Sequence, residues 1–154
     1  MTPASSGPQV DIYVLQGDHP QTLYRTVCRL TEKAFGMGHR IYIHAASQGE
    51  SLQLDDLLWT FRDGSFLPHA RHPAPSEDRS PILIGHDDQD PQSDRPQDDW
   101  SVLINLADQT PAFFHRFPRV AEVVDEDPHR RTAGRRRYLN YKEHGLNPIV
   151  HKLG

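Results

Sequence analysis

The sequence predicts an α/β fold: a single domain with a mostly parallel, twisted sheet and helices on both of its faces. Three features carry that reading. The length, 154 residues, fits about one domain. Short apolar runs with a period of two alternate with longer segments whose apolar residues recur at helical spacing. The helical segments fall between the strands, as crossover connections of a parallel sheet require. No internal repeat interrupts the pattern.

Residues 1–8, rich in Pro, Ser and Gly, read as a disordered N-terminus, and the domain spans 9–154. Gln9–Leu15 places Val10, Ile12 and Val14 on one side and reads as a strand. Asp18 is a candidate cap ahead of Pro20, and Thr22–Phe35 carries Leu23, Val27, Leu30 and Ala34 at helical spacing until Gly36 and Gly38 stop it. Arg40–Ala45 is a second strand, and Glu50–Phe61 a second helix closed by Asp63 and Gly64. Ser65–His69 is short and holds Pro68, which suits an edge strand or a turn. Pro81–Gly85 reads as a buried strand. An acidic flexible linker follows at about 87–99, with Pro91, Pro96 and few apolar residues. Trp100–Leu106 is a strand, Phe113–Phe117 a short helical turn, and Val120–Val124 a further strand. His129–His144 is the last helix, closed by Gly145, and Leu146–Gly154 has no clear pattern.

Composition narrows the function classes. Seventeen Lys and Arg against 21 Asp and Glu give a net charge of −4, which does not describe a bulk polyanion binder. The linker holds six Asp and one Arg, a net −5 that leaves the rest of the chain at +1. With Cys28 as the one cysteine, neither an intrachain disulfide nor a Cys-rich zinc fold is possible. Cys28 sits mid-helix beside Val27 and reads as a buried structural thiol. No apolar run approaches the ~18 residues of a bilayer span, and the first residues lack an export pattern, so a soluble cytoplasmic protein is expected.

The usual catalytic motifs are missing. Asp18-His19-Pro20 stands where a phosphate-cradling turn would need glycines for close backbone approach. No Ser occupies a G-x-S-x-G elbow. Among ten histidines, His69 and His72 lie three apart in a Pro-rich loop with no Cys cluster, and they read as solvated loop residues. No catalytic residue, metal or cofactor is expected.

Two surfaces look built for partners. On Glu50–Phe61, Leu54, Leu57, Leu58 and Phe61 form one stripe toward the sheet. Trp59 falls nearly opposite, on a face with Leu52, Asp55 and Asp56, and Phe66 and Pro68 follow after Gly64. An aromatic patch of this kind either packs under a neighbouring loop or marks a binding site. The second surface is His129–Lys142, with six Lys or Arg and no acid. Arg131, Arg135, Tyr138 and Lys142 share one side of that helix. Guanidinium forks beside an aromatic floor suit an acidic peptide, a chain terminus or a nucleic-acid backbone. The acidic linker is expected to fold over this helix and screen it.

At these residues the sequence resembles the chi subunit family of bacterial DNA polymerase III holoenzyme, accessory proteins of the clamp-loader complex. The likeness covers most of the chain: GHRIYI at 38–43, LDDLLWTFRDGSFLPH at 54–69, WSVLINL at 100–106, AEVVD at 121–125 and RRRYLNYKEHGLNP at 135–148. It implies a nucleotide-binding-like α/β fold without the phosphate loop, no intrinsic activity, and a place in a DNA-directed DNA polymerase complex. It further implies binding of the psi subunit on one surface and of the acidic C-terminal tail of single-stranded-DNA-binding protein on another, so that DNA is met indirectly. Onto the psi surface the resemblance carries Trp59, Phe66 and Pro68, with Leu52 beside them; a helicase-like partner can use the same patch. Onto the tail surface it carries Arg131, Arg135 and Tyr138, with Val124 and Gly145. The family often has a lysine after the helix tyrosine where this chain has Leu139, which implies that one cationic contact is either lost or replaced by Lys142. The turn after Asp125 is shortened, and the Asp-rich linker is not a family feature.

Two other readings stay open on the residues alone. A direct nucleic-acid-binding module would use Arg130–Lys142 on phosphates and show a steep salt dependence. A degenerate nucleotide-binding enzyme is suggested by the fold class only.

Overall fold

The computed structural model describes residues 7–64, 66–75, 78–87, 89–91 and 99–153. Its elements run β1 (Gln9–Val14), α1 (Pro20–Gly36), β2 (Ile41–Ala45), α2 (Gln48–Thr60), β3 (His69–Arg71), β4 (Ile82–His86), β5 (Val102–Asn105), a 3₁₀ turn (Phe114–Arg116), β6 (Arg119–Val124), α3 (Pro128–Glu143) and β7 (Ile149–Lys152). The seven strands form one sheet in the order β3-β4-β2-β5-β6-β1-β7, and every pair is parallel. The single α/β domain expected from the sequence is therefore present, with a sheet that is wholly rather than mostly parallel.

Both faces of the sheet are covered because successive strand residues point to opposite sides. Ile41, Ile43 and Ala45 of β2 join Ile82, Ile84, Ile104 and Val123 under α1 and α2, which contribute Leu23, Val27, Leu54 and Leu58. Tyr42, Leu83, Leu103, Val10 and Val120 point the other way, onto Phe113, Phe114, Phe117 and the Tyr141 of α3. Each fully buried aliphatic or aromatic side chain contributes roughly 1.5–3 kcal/mol of transfer free energy. Cys28 lies fully inside the first layer, and burial pushes its thiol up to about 12. This is the structural thiol expected there.

Element ends differ from the sequence reading in ways the chain explains. The cap of α1 is His19, not Asp18: Pro20 takes the first helical position, and the His19 ring accepts from the Gln21 amide at 3.1 Å. The α2 cap is Ser47, whose hydroxyl accepts from Glu50 N at 3.1 Å while the Glu50 carboxylate accepts from Ala46 N at 2.8 Å. Strand β3 begins at His69, the last residue of the segment that suits an edge strand or a turn, since Pro68 has no amide to donate to a ladder. The unassigned tail forms β7, pairing with β1 from Asp11 beside Ile149 to Val14 beside Lys152. Residues 1–6 of the expected disordered terminus, and residues 88 and 92–98 of the expected linker, lie outside the described residues. At the linker's described start, Asp90 pairs with Arg116 of the 3₁₀ turn.

Candidate partner-binding surfaces

The first surface is built where α2 hands over to β3. Leu54 and Leu58 anchor the inner side of α2, and Glu50 ties the helix to α1 by accepting from the Tyr24 hydroxyl at 2.8 Å. That anchoring turns Trp59 outward, where it is 48% exposed. Gly64, at a φ of 78° open to glycine, reverses the chain. Leu67 then plugs into the core and holds Phe66 out at 68% exposure, with Pro68 half-buried beside it. The Trp59 and Phe66 ring centroids are 5.6 Å apart, and Trp59 lies 4.4 Å from the His69 ring. Leu52 is exposed two turns earlier on the same helix.

His69 is the residue that sequence reasoning missed. It is buried, not solvated: Nδ1 lies 2.6 Å from the Leu67 carbonyl, and Nε2 lies 3.1 Å from the Asp55 carbonyl and 3.2 Å from its carboxylate. Each ring nitrogen thus faces an acceptor, and the imidazole becomes a fixed floor under Trp59. The one signal in the sequence was its position directly after Pro68, where a strand can start.

The second surface is the outer side of α3. Asp127 caps the helix by accepting from Arg130 N at 3.0 Å, and this bond holds its carboxyl below the usual range. The far end closes in a Schellman turn: Leu146 N donates to Tyr141 O at 3.0 Å and Gly145 N to Lys142 O at 2.9 Å, with Gly145 at a φ of 80°. Helix and sheet touch closely at Gly134, where a Cβ would meet Val124 Cγ1 at 2.7 Å.

The acids missing from the stretch His129–Lys142 come from β6 and its end. Arg130 lays its guanidinium fork on Asp125, with bonds of 2.9 and 2.8 Å, and also donates to Asp18 O at 3.1 Å. Asp125 in turn raises the Arg130 pKa. Arg137 is buried on Glu122 at 2.6 Å and donates to the carbonyls of Ala107 and Asp108 at 3.0 and 3.1 Å. The Tyr141 hydroxyl and the Asn105 amide also donate to Glu122, at 2.5 and 3.0 Å. Burial, more than the Glu122 charge, pushes the Tyr141 hydroxyl far up, so it stays a donor.

Arg131 and Arg135 remain outside. Both are exposed, and neither has an ion pair among the described residues. Tyr138 is half-buried, packed on the second core layer, and Lys142 Nζ reaches Asn147 Oδ1 only at 3.5 Å. Val124 is a buried wall behind the helix rather than part of its outer side, whereas Gly145 is exposed at the helix end. The two surfaces do not meet. Trp59, Phe66, Pro68 and His69 cluster beside edge strand β3 on the face carrying α1 and α2, and α3 covers β6 on the opposite face. Among the described residues no group of three or more His, Cys, Asp or Glu could hold a metal ion, and no helix is long and apolar enough to cross a membrane.

Comparison with known proteins gives a consistent picture. Residues 8–148 match the family model described as DNA polymerase III chi subunit, HolC. The DNA polymerase III subunit chi of Pseudomonas aeruginosa is 34% identical over 145 residues, covering 94% of this chain and 96% of that protein. The Haemophilus influenzae protein of the same name is 25% identical, covering 92% of this chain and 95% of its own length. The Escherichia coli one is 25% identical over 79% of each chain. A crystal structure of T4 UvsW superposes with a TM-score of 0.65 at 8% identity, covering 98% of this chain and 42% of that one, a likeness of fold alone.

Proposed function

The chain belongs to the DNA polymerase III chi subunit family, which makes it an accessory subunit in DNA replication, and on that premise we propose that it works as a two-surface adaptor. One surface, Trp59 with Phe66, Pro68 and Leu52, docks the psi subunit and so the clamp loader. The other, Arg131, Arg135, Tyr138 and Lys142 with Gly145 at its end and Val124 behind it, grips the acidic C-terminal tail of single-stranded-DNA-binding protein. No chemistry is assigned to this chain; it tethers the polymerase machinery to coated single-stranded DNA.

The observation that supports the tail site most is how the α3 cations divide. Arg130 and Arg137 are committed to Asp125 and Glu122, while Arg131 and Arg135 point outward with no acid of their own among the described residues. An acidic segment ending in an apolar residue would pair its carboxylates with these forks and rest its apolar end on Tyr138. Such contacts are charge-assisted yet exposed, so affinity is modest and falls with salt. Many tail copies on coated DNA compensate through avidity. On the other surface, Trp59 and Phe66 form the aromatic anchor that interface hot spots favour.

The test is a pair of variants. Arg135→Ala loses binding of the tail peptide and keeps psi, and Trp59→Ala does the reverse, read by peptide titration and by co-purification with psi. If each variant loses both partners, the two-surface reading fails. If Arg135→Ala instead weakens a free oligonucleotide more than the peptide, with a steep salt slope, α3 is a direct nucleic-acid contact.

A further inference from the structure

We propose that edge strand β7 is a strand-addition site for an extended segment of a partner protein in which acidic and apolar residues alternate. The site is separate from both surfaces described above. β7 closes the sheet opposite β3 and, among the described residues, pairs only with β1. Leu153 N donates to Val14 O at 2.9 Å, so alternation along the strand sends the N–H and C=O groups of Val150 and Lys152 outward, away from β1. An exposed edge is a template for another strand; β7 carries two of the features that limit such pairing, its four-residue length and Lys152, which restrict the site to a short segment that can neutralise a lysine.

The side chains point to the same use. Ile149 lies in register with Asp11 on the α1 side and is 49% exposed, and Leu153 on that side is 37% exposed. Val150 lies in register with Ile12 on the opposite side and is 48% exposed. A helix laid on one face of the sheet would cover Ile149 and Leu153 and leave Val150 in water. An added strand flanks both sides at once.

Charge decides which strand. A groove of about 450 Å³ lies between α1 and strands β1, β6 and β5, lined by Asp11, Tyr13, Ile104, Arg119 and Lys33, and it reaches the end of the edge strand at Leu153. It continues past Arg29 in a second stretch of about 350 Å³. Arg29 and Lys33, one turn apart on α1, and Lys152 on β7 are exposed and have no ion pair among the described residues. The acid in the lining, Asp11, is already held by His151 at 2.8 Å and lies 3.7 Å from Arg119. The seam is therefore cationic with apolar steps. Pairing with a second copy of β7 would set two such cationic rims together, whereas alternating acids and apolar residues neutralise the rim and cover Ile149 and Val150.

The experiment titrates the ¹⁵N-labelled full chain with a synthetic peptide alternating Val with Glu and Asp. Arg135→Ala protein is run in parallel, so that binding on α3 cannot stand in for binding at the edge. Strand addition slows hydrogen exchange at the Val150 and Lys152 amides in both proteins. Val150→Pro removes one outward donor but no bond to β1, and it weakens the peptide by about tenfold. Lys33→Glu, which leaves the edge backbone intact, weakens it too. Three results overturn the proposal: perturbation confined to α3, changes at Leu30, Met37 and Leu153 without protection of the Val150 and Lys152 amides, or concentration-dependent dimers through β7 without peptide.

Discussion

Glu122 on β6 receives the Arg137 guanidinium at 2.6 Å, and the two side chains are only 2% and 5% exposed. The most basic stretch of the chain is thus fastened to the sheet by one of its own cations, and the outer cations are presented from a fixed platform. Tyr141 and Asn105 complete the network, so Glu122 has donors on both oxygens. Removing one member strands a charge. Arg137→Ala is expected to cost about 3–5 kcal/mol in urea unfolding. Replacing both partners together, as Glu122→Gln with Arg137→Met, should cost less than the two single changes added. Arg135→Ala, in contrast, should change stability by no more than about 0.5 kcal/mol.

Gly134 sets how closely that platform sits on β6. A methyl there would lie 2.7 Å from Val124 Cγ1, well inside contact distance, and Val124 is packed in the core. Gly134→Ala is therefore expected to destabilise by roughly 1–2 kcal/mol, although alanine favours a helix interior by about 1 kcal/mol. The compensating variant Gly134→Ala with Val124→Ala should recover part of the loss, measured by the same unfolding experiment.

Much of this was legible in the sequence. Local apolar periodicity is enough to locate strands such as Gln9–Val14 and helices such as α2, because burial of one side or two sides leaves its mark within a few residues. Trp59 was legible only in part: its place opposite the leucine stripe left packing under a neighbouring loop and a binding patch equally open, and its exposure of 48% comes from the structure. Partners brought together only by the turns between elements were not legible. Arg130 and Arg137 looked equivalent to Arg131 and Arg135 until β6 supplied Asp125 and Glu122, and His69 looked solvated until Asp55 and Leu67 closed on its ring. β7 escaped notice because four residues give too short a pattern, and its pairing is with a strand 140 positions away, as in the His151–Asp11 contact.

His44 makes the protein sensitive to acid. Burial, against a weaker opposing effect from the Asp87 backbone, lowers its pKa from 6.5 to about 4. Its Nδ1 has no hydrogen-bond partner among the described residues, and its ring lies 5.4 Å from Phe113 and 5.8 Å from Tyr42. The folded state therefore takes up a proton less readily than the unfolded chain. Stability from this group is complete above about pH 6.5 and falls as pH drops toward 4, by about 2 kcal/mol at pH 4.5. Unfolding at pH 7 and 4.5 should show that loss in the native chain and a smaller one in His44→Gln. An equal loss in both would place the acid sensitivity elsewhere.

Leu139 offers the sharpest test of the tail site from the opposite direction, by gain rather than loss. It is 59% exposed on α3, one turn beyond Arg135. A leucine there contributes neither charge nor burial, so Leu139→Lys should leave stability within about 0.5 kcal/mol. If the acidic tail lies along Arg131, Arg135 and Tyr138, a cation at this place meets it. One more exposed charge pair is worth up to ~1 kcal/mol, which raises affinity by about two- to fivefold at low salt. The gain should shrink as salt screens it, so titrations of the peptide at two ionic strengths separate added charge from added packing. Unchanged affinity at low salt would show that the tail does not pass Leu139 and would count against a path along Arg135.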